Sequence, residues 1–242
     1  MDDVKANFYE LLSNMQLTVS DTQWNQFELY FRELVSWNER MNLTGIVERE
    51  QVYIKHFYDS LSLSFFVPLS TVHTIADIGS GAGFPSIPLK IMFPHLHVTI
   101  VDSLNKRIQF LEHVVHMLGL QQVRCVHGRA EDAARDSSMR DRYDLVTARA
   151  VARLTVLNEF CLPFVKNSGL FVAMKGSNPQ DEIDEASYSL KQLRGQLKSV
   201  NRFELPIEQA ERHLIVIQKM GSTPPKYPRK AGTPLKQPLL SS

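Results

Sequence analysis

The stretch Thr74-Ile-Ala-Asp-Ile-Gly-Ser-Gly-Ala-Gly-Phe-Pro-Ser-Ile-Pro-Leu89 constrains this chain more than any other. Its short apolar start predicts a buried strand over Thr74–Ile78, and the residues after the turn predict a helix. Between them stand Gly79, Gly81 and Gly83, at alternate positions. Glycine lets a backbone turn tightly and leaves no Cβ between it and a ligand. The helix that follows starts with free N–H groups, which favour polar or negative ligand groups. In doubly wound α/β proteins such a turn, at the carboxyl end of the first strand, is where nucleotides bind.

The spacing differs from the dinucleotide fingerprint G-x-G-x-x-G, because Phe84 stands where its last glycine would be. The actual pattern, D-x-G-x-G-x-G with Asp77 two places before the first glycine, resembles motif I of S-adenosylmethionine-dependent methyltransferases. The chemistry agrees. The methionine amine of that cofactor is cationic and suits a carboxylate such as Asp77. No pyrophosphate has to be cradled, so the third glycine is free to shift.

The flanking pattern is α/β. Strands are expected at 97–101, 123–127, 143–147 and 169–174, with helices at 104–118, 154–164 and 182–194 between them. Such alternation implies a mainly parallel sheet with right-handed crossovers. Two last strands, 197–204 and 213–217, predict a terminal hairpin with one antiparallel member. Upstream, residues 2–15 and a second helix ending near Arg40 show helical spacing, and Ser20-Asp-Thr-Gln23 is a capping-box signal. The stripe Trp24, Phe27, Tyr30, Phe31, Leu34 and Trp37 reads as core packed against the sheet. A third helix starting near Glu48 carries Lys55, His56, Asp59 and Ser60. His56 and Asp59 are three apart and read as a local pair or as the edge of a cleft. The organisation expected is a helical extension over 1–70, a methyltransferase unit over 71–220 and a basic, Pro-rich irregular tail over 221–242.

Composition narrows the setting. The 242 residues are 43% hydrophobic and 22% charged, with a net charge of +1. A near-neutral chain gives no global argument for nucleic acid, so any basic surface is local. Cys125 and Cys161 lie in apolar segments without zinc spacing and read as reduced thiols of a cytoplasmic protein, with no metal site. No apolar run is long enough for a membrane span, and the acidic N-terminus does not read as a signal peptide.

Further chemistry sits at the expected strand ends. Asp102 ends strand 2 roughly 20 residues past the glycine turn, where a carboxylate receives a ribose diol. Gly128-Arg-Ala-Glu-Asp132 follows strand 3. Ala130 and Glu131 are the expected adenine contacts there, with Asp132 as the next candidate. Arg149-Ala-Val-Ala-Arg153 follows strand 4 and borders the catalytic cleft. Methyltransferases of exocyclic amines commonly carry [D/N]-P-P-[Y/F] here, and this chain has Thr147-Ala-Arg-Ala. Neither cysteine has the Pro-Cys context of pyrimidine C5 methylation. With no obvious base and no nucleophile, the acceptor expected is an unprotonated lone pair such as a purine N7, and catalysis rests on alignment. Arg149 is the candidate for positioning, by contact with the cofactor or with a guanine edge. The tail carries Lys226, Arg229, Lys230 and Lys236 with Tyr227 and no acidic residue, a pattern suited to an RNA backbone.

Together these motifs resemble the bacterial glucose-inhibited division protein B family (RsmG). The matching residues include Trp37-Asn38, Met41-Asn-Leu-Thr44, His56-x-x-Asp59-Ser60-Leu61 and Asp77-Ile-Gly-Ser-Gly-Ala-Gly-Phe-Pro-x-Ile-Pro88. Asp102-Ser, Lys106-Arg-x-x-Phe110-Leu, Gly128-Arg-Ala-Glu131, Ala148-Arg-Ala-Val-Ala152, Lys175-Gly176 and Tyr227-Pro-Arg-Lys-Ala-Gly-Thr-Pro234 complete the set. The resemblance implies a Rossmann-like S-adenosylmethionine-dependent methyltransferase acting on N7 of a guanine in the decoding region of 16S ribosomal RNA. The substrate would be the small ribosomal subunit or its precursor, and the enzyme a monomer. Cofactor contacts are implied at Gly79, Phe84, Ala130, Glu131 and Arg149, beside Asp77, Gly81, Gly83 and Asp102 from the residues themselves. RNA-contact candidates are Asn42, Lys55, His56, Arg153, Lys175, Tyr227, Arg229 and Lys230. The alternatives are a methyltransferase of a protein or small molecule, and an RNA-binding assembly factor that keeps the cofactor as a structural ligand.

Overall fold

The structure is a computed structural model that describes residues 2–176 and 178–241. Met1 and Ser242, the outer ends of the first and last expected segments, lie outside the described residues. Seven strands form one sheet in the order β3-β2-β1-β4-β5-β7-β6. They are β1 (Thr74–Ile78), β2 (His97–Asp102), β3 (Val123–His127), β4 (Tyr143–Arg149), β5 (Val165–Lys175), β6 (Gly195–Glu204) and β7 (Glu211–Lys219). β1 to β5 pair in parallel, and β7 runs antiparallel to both β5 and β6. The expected doubly wound sheet with an antiparallel terminal strand is therefore present. Strands β4 and β5 extend beyond their expected limits, to Arg149 and from Val165. The chain leaves β1 on one side toward β2 and β3, then returns to the other side for β4. That reversal opens a crevice at the carboxyl ends of β1 and β4.

Helices α1 (Asp3–Asn14) and α2 (Asp21–Met41) cover one face. The capping box forms as expected: the Gln23 N–H donates to Ser20 Oγ and the Ser20 N–H to Gln23 Oε1. At its other end α2 closes on Asn42 in the left-handed region. Trp24, Phe27, Tyr30 and Leu34 are buried, while Phe31 and Trp37 are partly covered. They share one apolar cluster with Phe8, Phe57, Ile75, Ile87 and Phe110. Fully burying such a side chain contributes about 1.5–3 kcal/mol, so this stripe fixes α2 against the sheet.

Between α2 and β1 lie α3 (Arg49–Val52), a π-helical segment (Tyr53–Tyr58), α4 (Asp59–Leu61) and α5 (Leu63–Phe66). After β1 comes α6 (Ser86–Met92), then α7 (Asn105–Met117), α8 (Ala130–Ala133) and α9 (Leu154–Cys161). The single helix expected over 182–194 is two short ones, α10 (Gln180–Glu185) and α11 (Ser187–Gln192). The tail is irregular as expected apart from one short helix, but it packs on the rest of the chain. It ends in α12 (Thr233–Lys236), with Tyr227 and Leu239 in the apolar cluster that also holds Leu157 and Phe160 of α9. Among the described residues no helix is long and apolar enough to cross a membrane.

Candidate active site

The glycine turn is held from three sides. The Gly79 N–H donates to the Val101 carbonyl, the Gly81 N–H to Asp102 Oδ2 and the Tyr30 hydroxyl to the Ala82 carbonyl. Two glycines are required by close approach. Gly79 sits at φ +72°, and a Cβ there would lie 2.8 Å from Val151 Cγ2. Gly83 sits at φ +101°, and a Cβ would lie 2.7 Å from both Tyr30 Oη and Ile87 Cγ1. Asp77 is fully buried beneath the turn, where Oδ2 accepts the Ser86 N–H at the start of α6. Burial raises its carboxyl to about 7, against the opposing pull of Ser86, Ser80 and Arg149.

A cavity of about 260 Å³ opens at this turn. Gly79, Val101, Val151 and Phe160 line it with Gly128–Glu131 and with Leu235 of α12. The residues fit S-adenosylmethionine. An apolar slot suits an adenine face, and the backbone at Gly128–Glu131 offers groups to its edge. Behind the turn, the buried Asp77 carboxyl sits with the Ser80 and Ser86 hydroxyls and does not itself line the cavity.

A second cavity, about 370 Å³, lies beyond Arg149. Lys55, His56, Asp59, Arg149, Lys175, Arg212 and His213 line it with Phe203 and Met174. Arg149 and Ala150 border this cavity while the next residue, Val151, borders the first, so the end of β4 stands between the two. Asp59 joins two arginines: Arg149 Nη1 donates to Oδ2 at 2.9 Å and Arg212 Nε to Oδ1 at 3.2 Å. The Arg149 guanidinium also lies 4.9 Å from the centre of the Phe84 ring. The His56 ring also stacks on Phe84, with centroids 4.5 Å apart and planes at 19°. Burial and the nearby Arg149 charge lower His56 to about 3, so the ring is neutral. Nδ1 lies 3.1 Å from the Lys55 carbonyl and 3.4 Å from Arg149 Nη2, and Nε2 lies 2.8 Å from Thr44 Oγ1, so both ring nitrogens are engaged.

The expected site residues divide accordingly. Gly79, Ala130 and Glu131 line the first cavity. Asp77, Gly81, Gly83, Phe84 and Asp102 shape it from behind and do not line it. Asp77 supports the turn from below, and Asp102 spends its carboxylate on the Gly81 and Leu104 N–H groups and on Arg107 at 3.5 Å. Arg149 borders the second cavity, not the first. No hydrogen bond joins His56 to Asp59, because the stronger partners Thr44, Arg149 and Arg212 take them; both line the second cavity.

Among the expected RNA contacts, Lys55, His56 and Lys175 line the second cavity, with Lys55 paired to Glu208 and Lys175 to Glu182. Asn42, Arg153 and Lys230 are surface residues, and Arg153 pairs with Glu185. Tyr227 is the clear correction. It is buried, its hydroxyl reaches Gln192, and it has no free face for a base. Arg229 is likewise committed, through its N–H, Nε and Nη2, to the buried Glu159 carboxylate. Sequence reasoning passed over Arg212, Val151 and Leu235. Arg212 comes to Asp59 from 153 positions away, which no local pattern reports.

Neither cysteine takes part. Cys161 is buried and its thiol pushed well up, and burial pushes Cys125, on β3, up to about 12. No cluster of metal-ligating side chains occurs among the described residues.

Comparison with solved structures agrees on the fold. A putative O-methyltransferase from Klebsiella pneumoniae superposes with a TM-score of 0.54 at 12% identity, covering 79% of this chain and 90% of that one. TYW2 from P. horikoshii, solved with MeSAdo, gives 0.53 at 12% identity, covering 67% and 62%. Curated relatives are much nearer. The ribosomal RNA small subunit methyltransferase G of Brevibacillus brevis is 53% identical over 236 residues, 98% of this chain and 99% of that protein. That of Bacillus cereus strain ZK / E33L is 53% identical over 232 residues, 96% and 97% of the two chains. The family model described as rRNA small subunit methyltransferase G, GidB, matches residues 23–215. With both cavities at the end of its fourth strand and this likeness along almost its whole length, the chain belongs to the GidB family of small-subunit rRNA methyltransferases G.

Proposed function

We propose that the protein methylates N7 of a guanine in 16S ribosomal RNA, with S-adenosylmethionine as methyl donor. The observation that carries this is the second cavity, which offers fixed donors and no nucleophile, and whose Asp59 and His56 are already engaged. Its carboxylate, Asp59, is tied between two arginines, and its His56 is neutral and already bonded on both nitrogens. Neither Asp59 nor His56 is then free to remove a proton; His213, the cavity's other imidazole, sits with Nδ1 on the Gly176 carbonyl and Nε2 3.5 Å from Glu211, and N7 of guanine carries no proton to remove. S-adenosylmethionine supplies, when bound, an electrophilic methyl group on a sulfonium.

The chain's own part is to orient and to exclude water. Gly79, Ala130 and Glu131 hold the cofactor, and Phe84 and Asp77 brace the turn. The guanine edge shows two acceptors in the groove, O6 and N7. Arg149 or Arg212 donates to O6 and leaves N7 free to face the sulfonium. Four basic side chains, Lys55, Arg149, Lys175 and Arg212, line this cavity against one carboxylate, which suits a polyanion. Lys55 and Lys175 exchange Glu208 and Glu182 for phosphates. In this reading residues 1–70 are an extension that seats the acceptor against a cofactor-binding unit at 71–220. The protein works as a cytoplasmic monomer, and its near-neutral charge favours RNA already in the small subunit or its precursor over naked RNA.

The test is transfer of labelled methyl to small subunits from cells that lack the protein, run beside deproteinised RNA. Label in the RNA of the particles, with slower transfer to naked RNA, is expected. Label in ribosomal protein only, or cofactor binding with no label in RNA, refutes the reading.

A further inference from the structure

The C-terminal segment does more than end the chain. Leu235, on α12, lines the cavity at the glycine turn together with Val151 and Phe160. It is 57% exposed, so it presents apolar surface that a ligand in the cavity can cover. The segment that carries it is fastened at several points. The Gly232 N–H donates to Glu131 Oε1 at 2.7 Å, just before α12. Arg229 Nη2 donates to the Gln237 carbonyl just after it, and the same guanidinium clamps Glu159. Arg135 holds the Pro228 carbonyl, and Arg140 the carbonyls of Thr223 and Pro224. Glu159 neighbours Phe160, and Glu131 lines the same cavity. Two of these anchors, Glu131 and Glu159, are therefore a residue of the cavity's wall and the immediate neighbour of one.

We infer that the C-terminal segment is part of the cofactor site, and that Leu235 is the residue that covers the exposed face of the adenine ring. This rests on the reading of the first cavity as an S-adenosylmethionine site. The basic, Pro-rich tail then has a structural reason independent of RNA. Turns at 225–226 and 231–232 and the short α12 carry it past the cavity, and Arg229 secures it to α9. Glu131 serves through its carboxylate as an anchor for the wall, while the neighbouring backbone stays available to the adenine edge. Removing the apolar wall of a slot that holds a flat ring costs affinity about as deleting methylenes from a hydrophobic pocket does, on the order of tenfold.

The experiment is calorimetric binding of S-adenosylhomocysteine and of 5′-methylthioadenosine to the full-length protein without RNA. The second ligand keeps the adenosine and lacks the amino acid. Leu235 is mostly exposed, so Leu235→Ala should leave the thermal midpoint unchanged. Leu235→Ala is expected to weaken both ligands by about the same tenfold factor, and Leu235→Met to bind as the parent does. Unchanged affinity in Leu235→Ala overturns the inference, and so does a loss confined to S-adenosylhomocysteine, which would place the side chain at the amino acid. If the parent protein binds neither ligand, the reading of the cavity itself fails. If the parent binds and the variants match it, only the role of the tail fails.

Discussion

Replacing Asp59 by Asn keeps its shape and removes its charge. The side chain is 6% exposed, and its two oxygens accept from Arg149 and Arg212, whose side chains are 15% and 24% exposed. An amide can accept from one arginine only and turns an NH₂ toward the other. Breaking a buried ion pair by losing one partner costs about 3–5 kcal/mol. Both guanidinium groups keep some contact with water, which screens part of this, so about 2–3 kcal/mol is the reasonable figure. For a chain of this length that corresponds to a fall in thermal midpoint of about 4–12 °C. Arg149 also loses the contact that holds it over Phe84, so methyl transfer should fall at least about tenfold, as misplaced positioning groups cost that much or more. The assay is thermal unfolding of Asp59→Asn, Arg149→Gln and the double variant, treated as a double-mutant cycle. A coupling between about 0.5 and 3 kcal/mol is expected for residues in direct contact. A midpoint within about 1 °C of the parent's, or a coupling below about 0.3 kcal/mol, would refute the claim that this pair organises the cavity.

Other expectations follow from the same geometry. Gly79→Ala places a methyl group 2.8 Å from Val151 at φ +72°, so S-adenosylhomocysteine binding should weaken at least about tenfold, as measured by calorimetry. Tyr30→Phe leaves the buried Ala82 carbonyl without its donor; a loss of about 1–3 kcal/mol is expected in denaturant unfolding, and less than about 0.5 kcal/mol would show that the bond does not hold the turn. Burial raises Asp77 to about 7, above its unfolded value, so the folded state binds more protons there between roughly pH 4 and 7. The stability it lends is present at low pH and lost as pH rises through 7. Asp77→Asn should therefore raise the thermal midpoint at pH 8 and lower the extra stability given by S-adenosylhomocysteine. His56 behaves in the opposite sense. Its folded value, about 3, lies below the usual 6.5, so the unfolded state binds more protons and stability falls as pH drops from about 6.5. His56→Gln should flatten that acid limb in unfolding curves taken between pH 4 and 7.

The sheet and the glycine turn were legible because they are written locally. A buried strand needs only five residues, and the turn needs glycines where φ is positive, at Gly79, Gly81 and Gly83. The first cavity followed, since its floor is built from strand ends in known order. The second cavity was half visible. Lys55, His56 and Asp59 stood out as polar groups crowded onto one helix, and Arg149 as an arginine ending a strand. Their arrangement was not visible, because it depends on Arg212 from β7 and on the π-helical widening that turns His56 toward Thr44. The packing of the tail was missed for a similar reason. Proline and glycine report local backbone, whereas the order of this segment comes from Glu159 and Glu131, two buried carboxylates in distant helices. A signal did exist: Asn158 and Glu159 are polar residues inside the otherwise apolar helix Leu154–Cys161, and a buried glutamate needs a partner.

The most direct test of the account is the position of the new methyl group. Small subunits from cells lacking the protein are methylated in vitro, and the RNA is then treated with borohydride and aniline, which cuts at 7-methylguanine. The account predicts one new cleavage at a guanine of 16S RNA, dependent on the protein and abolished in Gly79→Ala. Methyl incorporation into that RNA without cleavage would contradict it, because the acceptor would then be an atom other than N7 of guanine.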